Sequence, residues 1–306
     1  MKPAIAPEPP QVKGVILAAG YGTRFLPVTK TVPKEMLPLV DVPSIQFIVD
    51  EFIASGIRDI LIITSRRKKV LEDYFDREVE LETTFRQSGA EGKLARIEPP
   101  SVNVCFTRQE RMLGTAHALM LCRRFTPHSP FVVAYPDDIL ISDPPCSRTL
   151  IEAWRGSVAP ENPNGCSVLS LLAFPEGDIS RYGIVAPEYR SGRLYVREMV
   201  EKPPPGSEPS RLVSLGRYLY TPEIFPVLEE MAAGHDGGEF YQTGPINRLA
   251  ARGKVLGVEF QGTRFDTGEP LGFLQATLEY ALTRDDLRDQ LLPYLHDISR
   301  RYREAP

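Results

Sequence analysis

The sequence predicts an α/β fold, built on a mixed and mostly parallel sheet that is flanked by helices. Strand-like and helix-like segments alternate through the first half of the chain, and this alternation is typical of a parallel sheet with helices on both faces. Glycines and acidic residues follow the ends of several predicted strands, where α/β sheets bind their ligands. The 306 residues are 42% hydrophobic and 25% charged, which is typical of a globular protein.

The strands predicted in the first half are short apolar runs at residues 14–18, 59–64, 102–107 and 131–135. The helices predicted between them cover residues 45–53, 70–75 and 115–124. In the first of these helices, Ile45, Ile48 and Phe52 lie on one face at helical spacing, and Gly56 marks its end. The run DILIIT at 59–64 has the continuous apolar character of a strand that is buried on both faces.

After about residue 165, strand patterns follow one another with few helices between them. These strand-like segments cover residues 167–174, 182–186, 194–201 and 212–220. Helical patterns return at residues 222–233, 244–251, 270–283 and 285–303. Pro293 falls inside the last of these segments and should kink or divide that helix.

The charge and the hydropathy pattern argue against two classes of partner. The formal net charge is -4 and the isoelectric point is about 5.7, so no excess of positive charge predicts binding to nucleic acid or to an anionic membrane. No apolar run approaches the length of a membrane span. The opening segment MKPAIAPEPPQ contains several prolines and no apolar signal-peptide core, so residues 1–11 are predicted to form a disordered tail.

The cysteines predict neither a structural zinc site nor a disulfide scaffold. Cys105, Cys122, Cys146 and Cys166 form no C-x-x-C pair, and no histidine lies at zinc-finger spacing from them. Reduced thiols fit a cytosolic protein, so we expect a cytoplasmic location. The sequence leaves the oligomeric state open, with a homo-oligomer among the alternatives.

The most informative segment is the loop after the first predicted strand, VILAAGYGTRFLPVTKTVPKEMLP at residues 15–38. Gly20 and Gly22 expose backbone N–H groups at the end of a strand, where no side chain blocks them. Arg24 and Lys34 add guanidinium and ammonium groups, which bind phosphates. The segment therefore predicts a site for a polyphosphate.

Two familiar phosphate-binding loops do not match this segment. The dinucleotide fingerprint G-x-G-x-x-G requires a glycine where Phe25 stands, which argues against a dehydrogenase. A Walker A loop requires a Gly-Lys-Ser or Gly-Lys-Thr sequence, and none follows here. The loop therefore belongs to a different class of phosphate site.

The order G-x-G-T-R followed by P-K resembles the nucleotide-binding signature of the sugar-1-phosphate nucleotidyltransferases. The continuation PKEMLPLVDVPSIQFIV is similar to that of the bacterial UTP–glucose-1-phosphate uridylyltransferases, and the resemblance extends over about residues 12–283. It implies a Rossmann-like nucleotidyltransferase fold of the GT-A type. The nucleotide-binding part would cover about residues 12–145 and the sugar-phosphate part about residues 165–270, with a C-terminal helical tail at 284–306.

The resemblance also implies a reaction. This is the Mg²⁺-dependent transfer of a uridylyl group from UTP to α-D-glucose 1-phosphate, which gives UDP-glucose and pyrophosphate. The sugar phosphate would attack the α-phosphorus directly and in line, so positioning and charge neutralisation dominate the catalysis. The cations that the resemblance assigns to catalysis are Arg24, Lys34 and Lys202.

The residues expected to bind the nucleotide come from the loop and from two later segments. They are Ala18, Ala19, Gly20, Gly22, Glu35, Gln109 and Gly114. Gln109 offers an amide that suits the edge of uracil, and Gly114 would let the chain approach the base closely. The segment Leu113-Gly-Thr-Ala116 departs from the G-L-G-H-A of the uridylyltransferases and looks more like other sugar nucleotidyltransferases.

Two aspartates are the candidate Mg²⁺ ligands. Asp137 follows the strand predicted at 131–135, and Asp266 lies in FDTGEPLGFLQATLEYAL, which resembles the closing motif of the family. Mg²⁺ prefers carboxylate and phosphate oxygens and keeps several waters, so one or two carboxylates suffice. Asp138 is predicted to cap the next turn and not to bind the metal.

The segment VEKP and the pair Tyr182-Gly183 match the sugar-binding motifs of the family. The resemblance implies that Glu201 contacts the sugar hydroxyls, that Lys202 contacts the sugar phosphate and that Gly183 borders the sugar. Glu239 is a partial match to a further motif of the family.

Three alternatives remain open from the sequence. The first alternative is dTTP as the nucleotide donor, and the second is a different hexose 1-phosphate as the acceptor. The third is a catalytically silent protein that binds a sugar nucleotide. Retention of the candidate cations and of both aspartates argues against the silent protein, because a relative without activity could lose any of them.

Overall fold

The computed structural model describes residues 11–303, and an α/β fold is confirmed over this range. The predicted disordered tail, residues 1–11, lies outside the described residues apart from Gln11. The strands are β1 Lys13–Leu17, β2 Pro38–Leu39, β3 Val42–Pro43, β4 Asp59–Thr64, β5 Asn103–Arg108, β6 Phe131–Ala134, β7 Asp138–Ile141, β8 Ser167–Ala173, β9 Gly183–Arg190, β10 Arg193–Glu201, β11 Leu212–Tyr220, β12 Val255–Glu259 and β13 Thr263–Asp266.

The helices lie between these strands and after them. They are α1 Ser44–Ala54, α2 Val70–Phe75, α3 Val79–Gln87, α4 Glu91–Leu94, α5 Thr115–Leu121, α6 Cys146–Arg155, α7 Ile224–Ala233, α8 Thr243–Ala250, α9 Pro270–Thr283 and α10 Asp285–Arg303. Short 3₁₀ turns occur at Thr23–Phe25, Val28–Lys30, Lys34–Met36 and Cys122–Arg124. Sequence reasoning did not predict α3, α4, α6 or the short strands β2, β3, β7, β12 and β13.

Within residues 11–303, nine strands form one mixed sheet in the order β5-β4-β1-β6-β11-β8-β12-β10-β9. Strands β5, β4, β1 and β6 are parallel neighbours, and β12 is parallel to β8. Strand β11 is antiparallel to β6 and β8, and β10 is antiparallel to β12 and β9. The expected mixed sheet is confirmed, and parallel pairing dominates in its first half alone.

The antiparallel pairing of the second half has a local cause at the β9–β10 connection. Ser191 and Gly192 join these strands with φ angles of 48° and 76°, and positive φ at both positions is the geometry of a tight hairpin turn. A two-residue turn cannot lead to a parallel neighbour, because a parallel pair requires a crossover of a dozen or more residues.

Strand β4 is buried on both faces, as its continuous apolar run predicts. Ile60 and Ile62 belong to the core cluster that contains Phe52 of α1. Leu61 and Ile63 belong to the second cluster, on the opposite face of the sheet. Because side chains fill both faces, the carboxyl edge of the parallel strands is where a ligand site is expected.

A buried ion pair joins α1 to β11 beneath that edge. Arg217 donates from Nη2 to Glu51 Oε2 at 2.8 Å and from Nε to the same oxygen at 3.0 Å. Its Nη1 donates to the carbonyl oxygens of Gly216 at 3.0 Å and Tyr135 at 3.4 Å. The pair therefore fixes the backbone that leads out of β6. No local sequence pattern predicts this ion pair, because Glu51 and Arg217 lie 166 residues apart.

The last helix, α10, runs without interruption from Asp285 to Arg303 with Pro293 inside it. The expectation that Pro293 divides this helix is wrong, since a proline removes one backbone donor and the remaining turns continue on either side of it. None of the helices between residues 11 and 303 combines the length and the apolarity that a membrane span requires.

Candidate active site

The glycine-rich loop after β1 folds tightly over its own residues. Gly22 has a φ of 66°, and the hydroxyl of Thr29 donates a hydrogen bond to its carbonyl oxygen at 2.7 Å. A Cβ at position 22 would lie 3.3 Å from the Cβ of Lys34. Glycine is therefore required at this position both for the backbone conformation and for the close passage of Lys34.

A buried ion pair lies beneath this loop. Lys68 donates to both carboxylate oxygens of Glu35, at 2.7 and 2.8 Å, and to the carbonyl oxygen of Ala18 at 2.6 Å. Burial raises the pKa of Glu35, and burial lowers the pKa of Lys68. Burial therefore opposes the charged forms of both groups, and the attraction between them offsets part of that penalty.

Three of the residues expected to contact the nucleotide have structural roles in this loop. The side chain of Glu35 is fully buried on Lys68. Both backbone groups of Ala18 are engaged, because its N–H donates to Ile63 at 2.8 Å and its carbonyl accepts from Lys68. Together with Gly22, these residues shape the loop, and none of the three lines the cavity that the loop borders.

That cavity has a volume of about 260 Å³ and opens at the carboxyl edge of β1, β4 and β6. Four of the predicted nucleotide residues line it: Ala19, Gly20, Gln109 and Gly114. An apolar wall completes it, formed by Leu17, Ile63, Met112 and Ala118. We refer to this space as the nucleotide cavity.

Gly114 is required by its neighbours as well as by its conformation. Its φ is 101°, and a Cβ there would lie 2.5 Å from the carbonyl oxygen of Phe240. Phe240 is held in place because its N–H donates to Leu113 at 2.7 Å and its carbonyl accepts from Ala116 at 2.9 Å. Any side chain at position 114 would therefore displace the backbone that closes this end of the cavity.

Lys34 and Asp137 meet at the mouth of the nucleotide cavity, with Nζ 2.5 Å from Oδ2. Burial raises the pKa of Asp137, but the charge and hydrogen bond of Lys34 outweigh it, so the pKa is lowered. Burial lowers the pKa of Lys34, but Asp137 and Glu35 outweigh it, so that pKa is raised. Both groups are therefore charged at neutral pH.

A two-stranded antiparallel ribbon of β7 and β13 brings Asp266 to Asp137. Asp266 pairs with Asp138 in the register of this ribbon, and the N–H of Thr267 donates to the carbonyl of Asp137 at 2.9 Å. A Cβ at Gly268 would lie 3.2 Å from Asp266 Oδ1 and 3.4 Å from Asp137 Oδ2. The two predicted metal ligands therefore converge on one point beside Gly268.

The donor set at this point suits Mg²⁺. Two carboxylates converge there, and Mg²⁺ takes one or two carboxylates together with phosphate oxygens and waters. A group of three or more His, Cys, Asp or Glu side chains arranged for a metal does not occur within residues 11–303. The residues therefore fit an ion that is shared with phosphates and not one held by the protein alone.

Asp138 does not cap a turn, contrary to expectation. It begins β7 and is buried, and its Oδ2 accepts from the N–H of Gly216 at 2.6 Å. Its Oδ1 accepts from Arg264 Nε at 2.7 Å. Asp138 thereby ties β7 to β11 and β13 and fixes the position of Asp137 before it.

A second cavity of about 400 Å³ adjoins the first, and we call it the sugar cleft. Its walls carry Arg24, Gly183, Glu201, Lys202 and both aspartates of the metal site. The residues that line both spaces are Thr115, Tyr135, Asp137 and Glu239. The two cavities are thus continuous past the Lys34–Asp137 pair.

Glu201 and Lys202 reach the same cleft although they are neighbours in sequence. Glu201 pairs with Gly183 at the end of β10, and its Oε2 accepts from the hydroxyl of Thr243 at 3.2 Å. Lys202 has a φ of 47°, and its Nζ lies 5.7 Å from the ring centroid of Tyr241. The left-handed backbone at Lys202 turns its side chain back toward the cleft.

The comparisons with known proteins agree with this geometry. The family model described as nucleotidyl transferase matches residues 13–282. The chain belongs to the nucleotidyl transferase family. The fold expected from the resemblance is therefore confirmed, and the matched range includes every residue of the two cavities.

Relatives in this family cover nearly the whole chain. The UTP–glucose-1-phosphate uridylyltransferase of Bacillus subtilis (strain 168) is 41% identical over 94% of this chain and 96% of its own length. Among solved structures, a UDP-glucose pyrophosphorylase from Acinetobacter baumannii aligns with a TM-score of 0.82 at 31% identity, over 94% of this chain and 99% of that one. A UTP-bound UGPase from the same organism aligns with a TM-score of 0.81 at 31% identity, over 93% and 98%.

Sequence reasoning missed two arginines of the site. Tyr182, named beside Gly183 in the sequence motif, donates to Asp266 Oδ2 at 3.1 Å, and Arg181 Nη2 lies 3.5 Å from the same oxygen. Arg264 lies opposite, with Nη2 at 3.6 Å. The Tyr182-Gly183 motif offered a signal for Arg181, its neighbour in sequence, whereas no motif indicated Arg264.

Proposed function

We propose that this protein transfers a uridylyl group from UTP to α-D-glucose 1-phosphate and releases pyrophosphate. The observation that carries the proposal is the continuity of the two cavities at the Lys34–Asp137 pair. The first space is narrow and partly apolar, which suits a base, and the second is wider and lined by charged groups, which suits a sugar phosphate. The names of the relatives reported above support the same reaction.

The chemistry is one displacement at phosphorus. An oxygen of the sugar phosphate forms a bond to the α-phosphorus of UTP, and the bond from that phosphorus to the bridging oxygen of the β-phosphate breaks. The electron pair leaves with pyrophosphate, so no protein nucleophile is required. Holding the two reactants in line and neutralising their charge supply the acceleration.

The cations of the site divide these tasks between them. Lys34, at the junction of the cavities, would neutralise the charge that develops around the α-phosphate. Arg24, on the loop, is assigned to the β- and γ-phosphates, which become the leaving group. Lys202, in the sugar cleft, is assigned to the phosphate of the sugar substrate. Each task is electrostatic, and charge-assisted hydrogen bonds of this kind are about twice as strong as neutral ones.

Asp137 and Asp266 would hold Mg²⁺ beside Gly268. The ion, when bound, neutralises phosphate charge and orients the phosphate oxygens. Lys34 accompanies Asp137 at the same place and holds its carboxylate in position for this role.

A substrate panel tests the proposal. We expect pyrophosphate release with UTP and glucose 1-phosphate, detectable release with dTTP, and poor release with ATP or GTP. A pyrimidine fits between Gly20 and Gly114, whereas a purine would press on the backbone there. Values of kcat/KM for ATP or GTP equal to that for UTP would refute the assignment. Binding of UDP-glucose without turnover of any nucleotide would instead indicate a silent binding protein.

The second candidate donor is dTTP, and the apolar part of the cavity wall is the reason to test it. The apolar side chains of Leu17, Ile63 and Ala118 in its wall tolerate a methyl group on the base. If the methyl group clashes, the loss is limited to ~1–3 kcal/mol.

We also infer a cytoplasmic location, since the four cysteines are free in the structure and UTP is a cytoplasmic substrate.

A further inference from the structure

We propose that His117 is a positioning residue that fixes the side-chain amide of Gln109 with its carbonyl oxygen toward the nucleotide cavity, so that the site selects pyrimidine bases that carry a hydrogen on N3. The inference rests on the proposed function, because it assigns the nucleotide cavity to the base of the substrate. It goes beyond that function by naming which group of the amide is presented and what holds it there.

Both N–H donors of the Gln109 amide are engaged within the protein. Nε2 lies 3.1 Å from the carbonyl oxygen of Gly114 and 3.0 Å from Nδ1 of His117. An amide nitrogen carries two hydrogens, so these two contacts use all of its donor capacity. Within residues 11–303, Oε1 of Gln109 has no hydrogen-bond partner.

The carbonyl of Gly114 determines which way the amide faces. A carbonyl oxygen accepts hydrogen bonds and cannot donate them, so the reversed amide would place Oε1 against another oxygen at about the same separation. The carbonyl of Gly114 cannot turn away, because the flanking residues Leu113 and Ala116 are hydrogen-bonded to Phe240 on either side of it. The nitrogen must therefore face Gly114 and His117.

His117 completes the arrangement through one tautomer. Nδ1 must accept the hydrogen bond from Gln109, so the ring proton belongs on Nε2. Burial lowers the pKa of His117, which keeps the ring neutral and Nδ1 able to accept. Without this acceptor, the second N–H of the amide would have no partner and the amide would be held by a single contact.

The consequence is an acceptor without a partner beside the apolar part of the cavity wall. Gln109 lines the nucleotide cavity and is 6% exposed, and Leu17, Ile63 and Ala118 line it too. A buried acceptor that finds no donor is unfavourable. Uracil and thymine present N3–H to such an acceptor, whereas cytosine presents a lone pair at N3. The fixed amide therefore favours uracil over cytosine.

The test compares UTP with CTP. We would measure kcat/KM for both nucleotides, with glucose 1-phosphate, in the wild-type protein and in His117→Ala. The ratio of UTP to CTP should fall by about tenfold or more in His117→Ala, because the amide is then held by the single contact with Gly114 and can swing its oxygen away from the base. His117→Asn offers an acceptor near the position of Nδ1 and should restore most of the ratio.

His128→Ala serves as the control for this test. It changes an exposed histidine away from both cavities and should leave the ratio of UTP to CTP unchanged. An unchanged ratio in His117→Ala, or a ratio in His117→Asn as low as in His117→Ala, would overturn the positioning role. Failure of the wild-type protein to release pyrophosphate from UTP would instead overturn the proposed function and leave the structural assignment to a second measurement.

That second measurement needs no turnover. Nitrogen-15 NMR of the wild-type protein at neutral pH should show His117 neutral and protonated on Nε2. A ring protonated on Nδ1, or on both nitrogens, could not accept from Gln109 and would contradict the proposal. This readout also holds if His117→Ala does not fold.

Discussion

The nucleotide side and the sugar side of the site differ in how far their charged groups are paired before any substrate binds. On the nucleotide side, Lys34 lies 2.5 Å from Asp137 and is 20% exposed. On the sugar side, Lys202, the cation assigned to the sugar phosphate, lies 4.0 Å from Glu201 and is 57% exposed. The nucleotide side is organised in advance, whereas the cation assigned to the sugar phosphate is loosely held.

This difference indicates how the two halves divide the work. A rigid, paired site loses little conformational freedom on binding and discriminates sharply between bases. Exposed long side chains must be ordered by the substrate, and that ordering costs about 0.5–1.5 kcal/mol for each side chain. We therefore expect changes on the nucleotide side to affect turnover or stability, and changes on the sugar side to affect the KM of one substrate.

The largest expected effect belongs to the aspartates where the two halves meet. Asp137→Ala and Asp266→Ala should each lower kcat by about 10³-fold or more, ~4 kcal/mol of barrier, because each removes one of two converging carboxylates. Steady-state assays at saturating Mg²⁺ measure the loss. A variant that keeps more than about a tenth of the activity would show that its aspartate is not an essential ligand.

Two matched variants separate this effect from general damage. Asp289→Ala removes an exposed aspartate of α10 and should change neither activity nor stability. Asp138→Ala removes the buried partner of Arg264 and Gly216, so it should lower the free energy of unfolding more than Asp137→Ala, which removes the carboxylate paired with Lys34. Equal losses of stability in Asp137→Ala and Asp138→Ala would break the distinction between the two neighbours.

The second-largest effect, on stability, is expected at the Lys68–Glu35 ion pair beneath the glycine-rich loop. Lys68→Met leaves Glu35 buried without its partner and should lower the free energy of unfolding by about 3 kcal/mol. The estimate lies at the low end for such pairs, because the pKa of Glu35 is already raised and a proton relieves part of the penalty. Denaturant unfolding measures the change. The double variant Glu35→Leu, Lys68→Met should recover most of it, and failure to recover would mean that packing, not charge, dominates there.

Periodicity and composition predicted the parallel first half more fully than the site. Long apolar runs such as DILIIT mark buried strands directly, so β1, β4, β5 and β6 were predicted to within a residue or two. The approach of Asp266 to Asp137 depends on β7 and β13, which have four residues each and carry little periodic signal. The resemblance to a family supplied that pair.

Neither hydrophobic periodicity nor the family resemblance predicted contacts between side chains that lie far apart in the sequence. Arg217 with Glu51, and Lys68 with Glu35, are buried pairs that no local pattern encodes. The resemblance gave Glu35 a contact with the nucleotide, whereas its side chain is buried on Lys68 beneath the loop. No sequence pattern indicated the contact of His117 with Gln109, because it depends on a turn that brings the start of α5 back to the end of β5.

A smaller effect is expected on the sugar side. Lys202→Ala should raise the KM for glucose 1-phosphate by about 10–100-fold, the loss of one charge-assisted hydrogen bond, and should change UTP binding far less. Calorimetry with each substrate measures the two affinities separately. Lys93→Ala, an exposed lysine on α4, serves as the control. Equal losses for UTP and for the sugar phosphate would contradict the division of the site into two differently organised halves.

The smallest effect is the pH dependence of the stability that the Lys34–Asp137 pair contributes. Its sign follows from the pKa shifts of these two groups. The pKa of Asp137 is lowered from 3.8, so its stabilising contribution is complete above that value and is lost as the pH falls through the lowered pKa. The pKa of Lys34 is raised from 10.5, so its contribution is complete below that value and is lost as the pH rises through the raised pKa. The difference in the free energy of unfolding between the wild-type protein and Lys34→Met should therefore stay constant from about pH 5 to about pH 9 and shrink only in stronger acid or stronger base. Denaturant unfolding across that range measures it. A difference that changes steadily through neutral pH would mean that the pair is not charged before substrates bind, and that the nucleotide side is organised by its substrate just as the sugar side is.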